Sequence, residues 1–315
     1  MRVRPSPGSR PRTKERPSHT DATEGVVVTV DRGRYTCRVG PTEVVAMKAR
    51  ELGRRGVVVG DRVAIVGDVS GRADSLARIV RVHQRRSALR RTADDTDPME
   101  RVIVANADQL VVVSALADPA PRPRLIDRCL VAAYDAGLTP LLCLTKADLA
   151  GPAALLDTYR ALDVPHVVVR RGGPLDELRG RLAGRVSVLV GHSGVGKSTL
   201  VNALVPGAAR AIGVVNAVTG RGRHVSASAI ALELDGAGWV IDTPGVRSFG
   251  LAHVDLNRVI RAFPDLEAGT EGCPRSCSHD EPDCALDDWV AAGRSDPGRL
   301  ASLRRLLRSR DEPED

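Results

Sequence analysis

The stretch VSVLVGHSGVGKSTLVNALV, Val186 to Val205, decides the fold of this chain. It places a loop of the form G-x4-G-K-S between an apolar strand and a helix, the context that a phosphate-binding loop requires. Glycines let the backbone wrap a phosphate, Lys197 reaches the terminal phosphates, and Ser198 offers its hydroxyl to Mg²⁺. A glycine-rich turn without a ligand is the alternative, which the flanking elements argue against. The predicted nucleotide-binding residues of this loop are Gly191, His192, Ser193, Gly194, Val195, Gly196, Lys197, Ser198 and Thr199.

A second motif, Asp242-Thr243-Pro244-Gly245, ends a later strand and has the form D-x-x-G. We predict that Asp242 holds the magnesium shell through a metal-bound water. The Gly245 amide is the expected donor to the γ-phosphate, because a glycine backbone can approach closely and move when that phosphate leaves. An ordinary Asp-Pro-Gly turn is the alternative reading.

The choice between ATP and GTP depends on Thr145-Lys146-Ala147-Asp148, which follows the apolar strand PLLCL and resembles the N-K-x-D reader of guanine. A carboxylate at Asp148 accepts both guanine N1–H and the exocyclic amine, and adenine offers neither hydrogen there. Lys146 is expected to lie along the base and brace the phosphate loop. Thr145 stands where Asn is usual, so a contact to guanine N7 is weakened or lost. A helix-capping Asp after a buried strand is the alternative.

The order of these motifs is circularly permuted. In ordinary GTPases the base reader follows the phosphate loop, whereas here Asp148 precedes Gly191. Joining the old termini and opening the chain elsewhere preserves each strand-end loop, so the sheet can be the same. The segment after Asp242 then runs directly into a cysteine-rich region, which predicts that a γ-phosphate-dependent movement is transmitted to that region.

The chain divides into four predicted parts. Residues 1–24 form a disordered basic tail, either a partner-binding or a merely solubilising one. Residues 25–91 show five short strands, typical of an OB-fold or an SH3-like barrel. Residues 92–264 alternate strands and amphipathic helices, which indicates a mainly parallel α/β sheet, and residues 265–315 form a small, mostly helical domain.

Composition points to a polyanionic partner. Lys plus Arg number 46 against 39 Asp plus Glu, for a net charge of +7. The sequence has no long apolar run or secretory leader, so we expect a cytoplasmic protein without a membrane segment. The stretch HQRRSALRR, 83–91, contains four arginines and is either a phosphate-contacting rim or a solvated linker. Since aromatics make up 2% of the chain, arginines and RNA shape should dominate over base stacking in any RNA contact.

A cysteine cluster predicts a zinc site. Cys273, Cys277, His279 and Cys284 supply three thiolates and one imidazole within twelve positions, the full set for a closed tetrahedral site. Such a site leaves no position for catalysis, so its expected role is structural, fixing a domain too short to bury a core. Free or buried cysteines with a chance histidine are the alternative.

Taken together, the preceding barrel, ANADQLVVV at 105–113, GHSGVGKSTLVNAL, RGRH at 221–224, DTPG and the closing Cys/His cluster resemble the RsgA (YjeQ) family of small-subunit-dependent GTPases. The resemblance implies an OB-fold, a permuted GTPase domain, a zinc-binding domain, and binding of GTP and GDP with Mg²⁺ and Zn²⁺. It also implies that the small ribosomal subunit and its rRNA are the partners, in late maturation. We expect a monomer whose GTP hydrolysis the subunit stimulates.

Two departures from the family pattern affect the site, and a third feature differs from many other GTPases. The first switch reads Gly222-Arg223-His224-Val225-Ser226, so that only Ser226 can substitute for the usual magnesium-binding Thr, and Arg170-Arg171-Gly172 replaces the Ser-Ala contact to guanine O6. Val246 occupies the position of the water-orienting Gln, which predicts slow intrinsic turnover. The candidate catalytic residues are therefore Lys197 and His224, although His224 either positions the water or contacts RNA. The rivals are a non-hydrolysing RNA-binding adaptor and an ATPase or small-molecule kinase.

Overall fold

The computed structural model describes residues 19–53, 56–92, 100–208, 229–235, 238–243, 251 and 253–309. Four of the predicted features therefore lie outside the described residues: most of the basic tail, the first-switch residues Arg221 to Ser226 with His224, the Gly245 amide, and Val246.

The amino-terminal strands form a closed five-stranded barrel. Its strands are β1 (Thr23–Asp31), β2 (Arg34–Val39), β3 (Thr42–Lys48), β4 (Arg62–Val66) and β5 (Ala77–Val82). They pair in the order β1-β2-β3-β5-β4, and β1 closes the ring against β4; only β3 and β5 run parallel. Alternation puts Val27, Cys37, Val44 and Ile79 inside with no exposed surface. This connectivity is that of the OB-fold, so the choice left open with an SH3-like barrel is settled.

A two-stranded ribbon, β6 (Ala88–Arg91) and β7 (Arg101–Ala105), connects the barrel to the rest of the chain. Just before it, Arg85 forms a two-pronged ion pair with Asp61, with Nε–Oδ1 at 2.7 Å and Nη2–Oδ2 at 2.8 Å. The Asp61 side chain is fully buried, and its Oδ2 also accepts the Val58 amide at 2.8 Å. Arg85 therefore bonds a buried carboxylate of the barrel, and it fits neither the phosphate-contacting rim nor the solvated linker left open for 83–91.

Replacing Arg85 with alanine should destabilise the fold by about 3 kcal/mol, because it leaves a buried carboxylate without its cation. Urea unfolding followed by far-UV circular dichroism measures the change. The neighbouring Arg86 is the matched control: its side chain is 68% exposed and pairs with Asp108 at 3.1 Å, so Arg86→Ala should cost at most about 1 kcal/mol. Equal losses in the two variants would contradict the assignment.

The central sheet is parallel except at one strand. Its strands are β8 (Gln109–Ala115), β9 (Thr139–Thr145), β10 (His166–Val168), β11 (Val186–Val190), β12 (Ile230–Glu233) and β13 (Trp239–Asp242). The order is β10-β9-β8-β11-β13-β12, in which only β12 is antiparallel to its neighbour β13. Its helices are α1 (Pro123–Asp135), α2 (Ala153–Tyr159), α3 (Asp176–Leu182) and α4 (Lys197–Leu204). A short 3-10 turn, Arg160–Leu162, extends α2. The predicted mainly parallel α/β domain is confirmed.

The barrel and the central sheet are hydrogen-bonded into one eleven-stranded sheet. Strand β1 pairs with β12 at Thr29 and Ile230. Arg38 of β2 adds a second link, since it lies 3.6 Å from the Glu233 carboxylate and over the Trp239 ring at 5.9 Å. The strand that leads towards Asp242 is thus connected to the barrel through its neighbour β12.

The carboxy-terminal region is helical and packs on the central domain. It contains α5 (Leu256–Ile260), α6 (Pro264–Glu267), a 3-10 turn (Thr270–Gly272), α7 (Ala285–Ala291) and α8 (Pro297–Arg308). Leu303 and Leu306 of α8 belong to the same buried cluster as Leu130 of α1. The idea of a domain too short to bury a core therefore needs correction, because this region shares the core of the central sheet.

Polar contacts reinforce that packing. Arg305 of α8 pairs with the buried Asp127 of α1 at 3.0 Å and donates to the Thr158 carbonyl at 3.1 Å. Arg299 bonds Asp265 at 2.8 Å and thereby ties α8 to α6. In the described part of the chain, no helix is long and apolar enough to cross a membrane.

Candidate functional site

The phosphate loop lies at the carboxyl end of β11 and runs into α4, the position at which parallel sheets bind ligands. Gly191 passes so close to the Val113 carbonyl that a Cβ would lie 2.5 Å from its oxygen, which only glycine avoids. Gly194 and Gly196 have φ of +87° and +88°, a conformation that other residues rarely adopt. The sequence requirement for glycine at these three positions is therefore steric.

Lys197 and Asp242 form an ion pair across the mouth of the loop. Their side chains are only 11% and 7% exposed, and the ammonium also lies 3.5 Å from the Thr243 carbonyl. The Thr243 hydroxyl donates to the Leu189 carbonyl at 2.8 Å, which fixes the start of the D-x-x-G turn on β11. The two strand ends are thus adjacent, with a cation and a carboxylate at the point where phosphate and magnesium would meet.

The predicted base reader starts at the end of β9. Its first residue, Thr145, is buried and donates its hydroxyl to the Val195 carbonyl in the phosphate loop at 2.6 Å. Its second residue, Lys146, has a φ of +58° and donates to the Asp118 carbonyl in the loop after β8. This contact was not anticipated from the sequence, because Asp118 lies 28 residues away and carries no local motif.

Asp148 is exposed, and its Oδ1 accepts the backbone amide of Arg171 at 3.1 Å. That amide holds the pKa of Asp148 below its ordinary value, so the carboxyl stays an acceptor. Arg171 belongs to a tight turn closed by the Gly173 amide on the Arg170 carbonyl at 3.0 Å. This turn occupies the position at which the family has its Ser-Ala motif. In the sequence, Gly172, which adopts a φ of +69°, was the residue that could have indicated a turn here.

One cavity of about 680 Å³ joins these segments. The base reader contributes Thr145 and Lys146, the turn contributes 170–173, and Asp242 closes the far end. Lining residues from the phosphate loop and α4 are Gly191, His192, Ser193, Gly194, Gly196, Lys197, Ser198 and Thr199. Val195, also in the loop, has a fully buried side chain, and Asp148 bonds the Arg171 amide of the lining turn. Residues far apart in the permuted order therefore surround a single space.

His192 of the phosphate loop has its Nδ1 2.9 Å from the Ser193 carbonyl, so Nδ1 carries the proton and Nε2 is the bare acceptor. Burial lowers the pKa of this imidazole, which keeps it neutral at physiological pH. Without nucleotide, the ring therefore adds no positive charge to the phosphate loop.

The cysteine cluster has the geometry of a zinc site. The ligand atoms of Cys273, Cys277, His279 and Cys284 all lie within 4.8 Å of one another. The Cys273 and Cys284 sulfurs are 3.8 Å apart, and Cys273 Sγ lies 3.7 Å from His279 Nδ1. A tetrahedral zinc with Zn–S bonds of about 2.3 Å sets sulfur atoms about 3.8 Å apart, so this donor set fits the ion.

Surrounding contacts hold the ligands in place. Arg304 donates to the His279 carbonyl at 2.9 Å and grips Asp287 with both terminal nitrogens, at 2.8 and 2.7 Å. Cys284 caps α7 and is buried in the core shared with α8. The ligand loop is therefore attached to helices that stay packed on the central domain.

Comparison with known proteins agrees with this geometry. Residues 82–252, more than half of the chain, match the family described as RsgA GTPase. The chain belongs to the RsgA GTPase family. It therefore is a GTP hydrolase of the phosphate-loop class, whose substrate and product are GTP and GDP and whose chemistry uses Mg²⁺.

Named relatives cover most of the chain. The small ribosomal subunit biogenesis GTPase RsgA of Pseudomonas aeruginosa is 43% identical over 266 residues, 81% of this chain and 76% of the relative. That of Gemmatimonas aurantiaca is 38% identical over 84% of this chain and 87% of its own length. YjeQ from Thermotoga maritima superposes with a TM-score of 0.67 at 25% identity, covering 93% of this chain and 99% of that one.

A further structure, YloQ, described as a circularly permuted GTPase, has a TM-score of 0.65 at 22% identity and shares the fold. It covers 96% of this chain and 100% of its own. The barrel and the permuted GTPase fold predicted from the sequence are confirmed by these likenesses, and the Cys/His cluster is confirmed by the closeness of its ligand atoms.

Proposed function

We propose that this GTPase binds the small ribosomal subunit, contacts its rRNA and acts in late maturation of that subunit as a cytoplasmic monomer. The relatives named small ribosomal subunit biogenesis GTPase support this role. The observation that carries the nucleotide site is the single cavity lined by Lys146, Lys197 and Asp242.

The residues of the nucleotide site have proposed parts in the reaction. The Asp148 carboxylate reads the guanine edge, and Lys146 lies along the base, fixed by the Asp118 carbonyl. The amides of the phosphate loop and the Lys197 ammonium hold the β- and γ-phosphates and neutralise the charge that develops between them. The Ser198 hydroxyl and, through a water, the Asp242 carboxylate are the groups that would hold magnesium, which would supply further positive charge for the phosphates.

Nucleotide binding should separate Lys197 from Asp242. In the structure these side chains neutralise each other, and both are needed elsewhere once phosphate and magnesium arrive. The Asp242 carboxylate would then face magnesium instead of Lys197, and the Lys197 ammonium would face phosphate oxygens instead of Asp242. Neither charge is left unpaired in a mostly buried place, which keeps the exchange favourable. The Gly245 amide and His224 remain predictions for the γ-phosphate contact and for positioning the water.

The rRNA contact is proposed for the outer face of the barrel. Arg62 of β4 and Arg78 and Arg81 of β5 are exposed on this face. Because only Tyr35 is aromatic in the barrel, and it is buried, phosphate contacts should dominate, with strong salt dependence.

Phosphate release from GTP, measured with and without purified small subunits, tests the proposal. We expect slow turnover alone and an increase on the order of tenfold or more with small subunits. Large subunits at the same concentration control for non-specific RNA, and Lys197→Ala controls for contaminating hydrolases. Equal stimulation by both subunits, or none by either, would refute the proposed partner.

A further inference from the structure

The Thr145 hydroxyl carries an inference that rests on the proposed nucleotide site. Its Oγ1 lies 2.6 Å from the Val195 carbonyl and 3.4 Å from the Ser114 carbonyl, and the residue is 5% exposed. A hydroxyl has a single proton, and the shorter contact to Val195 takes it. Guanine N7 is only an acceptor, so Thr145 has no proton left to donate to it.

The same contact fixes the direction of a backbone amide. A trans peptide is planar, with its C=O and N–H pointing in opposite directions. Since the Val195 carbonyl accepts from Thr145, the Gly196 N–H of the same peptide points away from Thr145. The Val195 side chain is fully buried, so this residue is held on two sides. Gly196 has a φ of +88° and no side chain that could restrain the peptide between Val195 and Gly196. The Thr145 hydroxyl restrains this peptide instead.

We propose that Thr145 is a positioning residue for the phosphates. It occupies the first place of the base reader but acts through the Val195–Gly196 peptide, which it orients so that the Gly196 amide faces the nucleotide phosphates. It therefore contributes equally to the binding of GTP and GDP and nothing to the recognition of guanine N7.

The test compares Thr145→Val, which keeps the shape and removes the hydroxyl, with Thr145→Ser, which keeps the hydroxyl. Dissociation constants are measured for GTP, GDP and 7-deaza-GTP, in which a carbon replaces N7. We expect Thr145→Val to weaken all three by the same factor, about fivefold to tenfold, and Thr145→Ser to bind like the wild type. Thermal melting of each variant without nucleotide shows whether the fold is intact.

Two results would overturn the proposal. A loss with GTP but none with 7-deaza-GTP would mean that the hydroxyl reads N7. Unchanged affinities in Thr145→Val would mean that the peptide keeps its orientation unaided. The nucleotide preference of the wild type distinguishes failure of this inference from failure of the proposed site. If the wild type does not bind GTP more tightly than ATP, the proposed site is wrong, and the role of Thr145 is wrong with it.

Discussion

Replacing Asp148 with asparagine is expected to weaken GTP binding on the order of 100-fold and to make xanthosine triphosphate the better ligand. The carboxylate accepts two hydrogens from guanine, and an amide at the same place presents an N–H to one of them. Xanthine carries an oxygen where guanine has its exocyclic amine, so it accepts the hydrogen that the amide now offers. Displacement of a fluorescent GDP by GTP and by xanthosine triphosphate, in the wild type and in Asp148→Asn, measures which nucleotide each protein prefers.

Because Asp148 also accepts the Arg171 amide, a control must separate its support of the turn from its contact with the base. Oδ1 accepts that amide at 3.1 Å, and an asparagine oxygen can do the same, so the 170–173 turn should survive the substitution. Asp148→Ala removes both the contact to the turn and the contacts to the base. We expect it to bind neither nucleotide well. If Asp148→Asn kept its preference for GTP while Asp148→Ala lost binding, Asp148 would support the turn and would not read the base.

The sequence predicted the parts of this site that depend on residue type. Lys197, Ser198 and Asp242 follow from chemistry at fixed spacing, and the glycines from conformations and close approaches that a Cβ would prevent. The barrel and the parallel sheet follow from alternating and continuous apolar runs between turns. In each case the pattern lies within a short stretch of the chain, so it can be recognised without knowledge of the fold.

The parts that the sequence did not predict are made by backbone atoms meeting across the fold. The Asp118 and Val195 carbonyls could belong to any residue type, and the Arg171 amide to any but proline, so no letter in the sequence marks them. Arg85 was not predicted because the run of arginines at the barrel edge indicated either phosphate contacts or a solvated linker, whereas the buried Asp61, 24 positions earlier, pairs with this one.

The carboxy-terminal core was misjudged from length alone. A segment of about fifty residues has too little apolar surface to fold by itself. Its leucines, however, complete a core that the central sheet and α1 already supply. This arrangement changes what the loss of zinc should do.

Removing the metal should unfold the ligand loop and leave α8 in place. A structural zinc site contributes about 10–16 kcal/mol in isolated zinc-finger peptides, where the fold has no other support. Here α8 keeps its buried leucines and the ion pair between Arg305 and Asp127, neither of which involves the metal. Cys277→Ser should abolish the stoichiometric zinc seen by atomic absorption, and its amides from Cys273 to Cys284 should lose hydrogen-exchange protection.

The amides of α8 are the internal control in that experiment, and they should stay protected in Cys277→Ser. Arg305→Ala is the complementary variant, expected to keep its zinc while the exchange of α8 accelerates. If instead Cys277→Ser released α8 as well, the ligand loop and the helix would form one cooperative unit. The shared core would then be too weak to hold the carboxy-terminal helix without the metal.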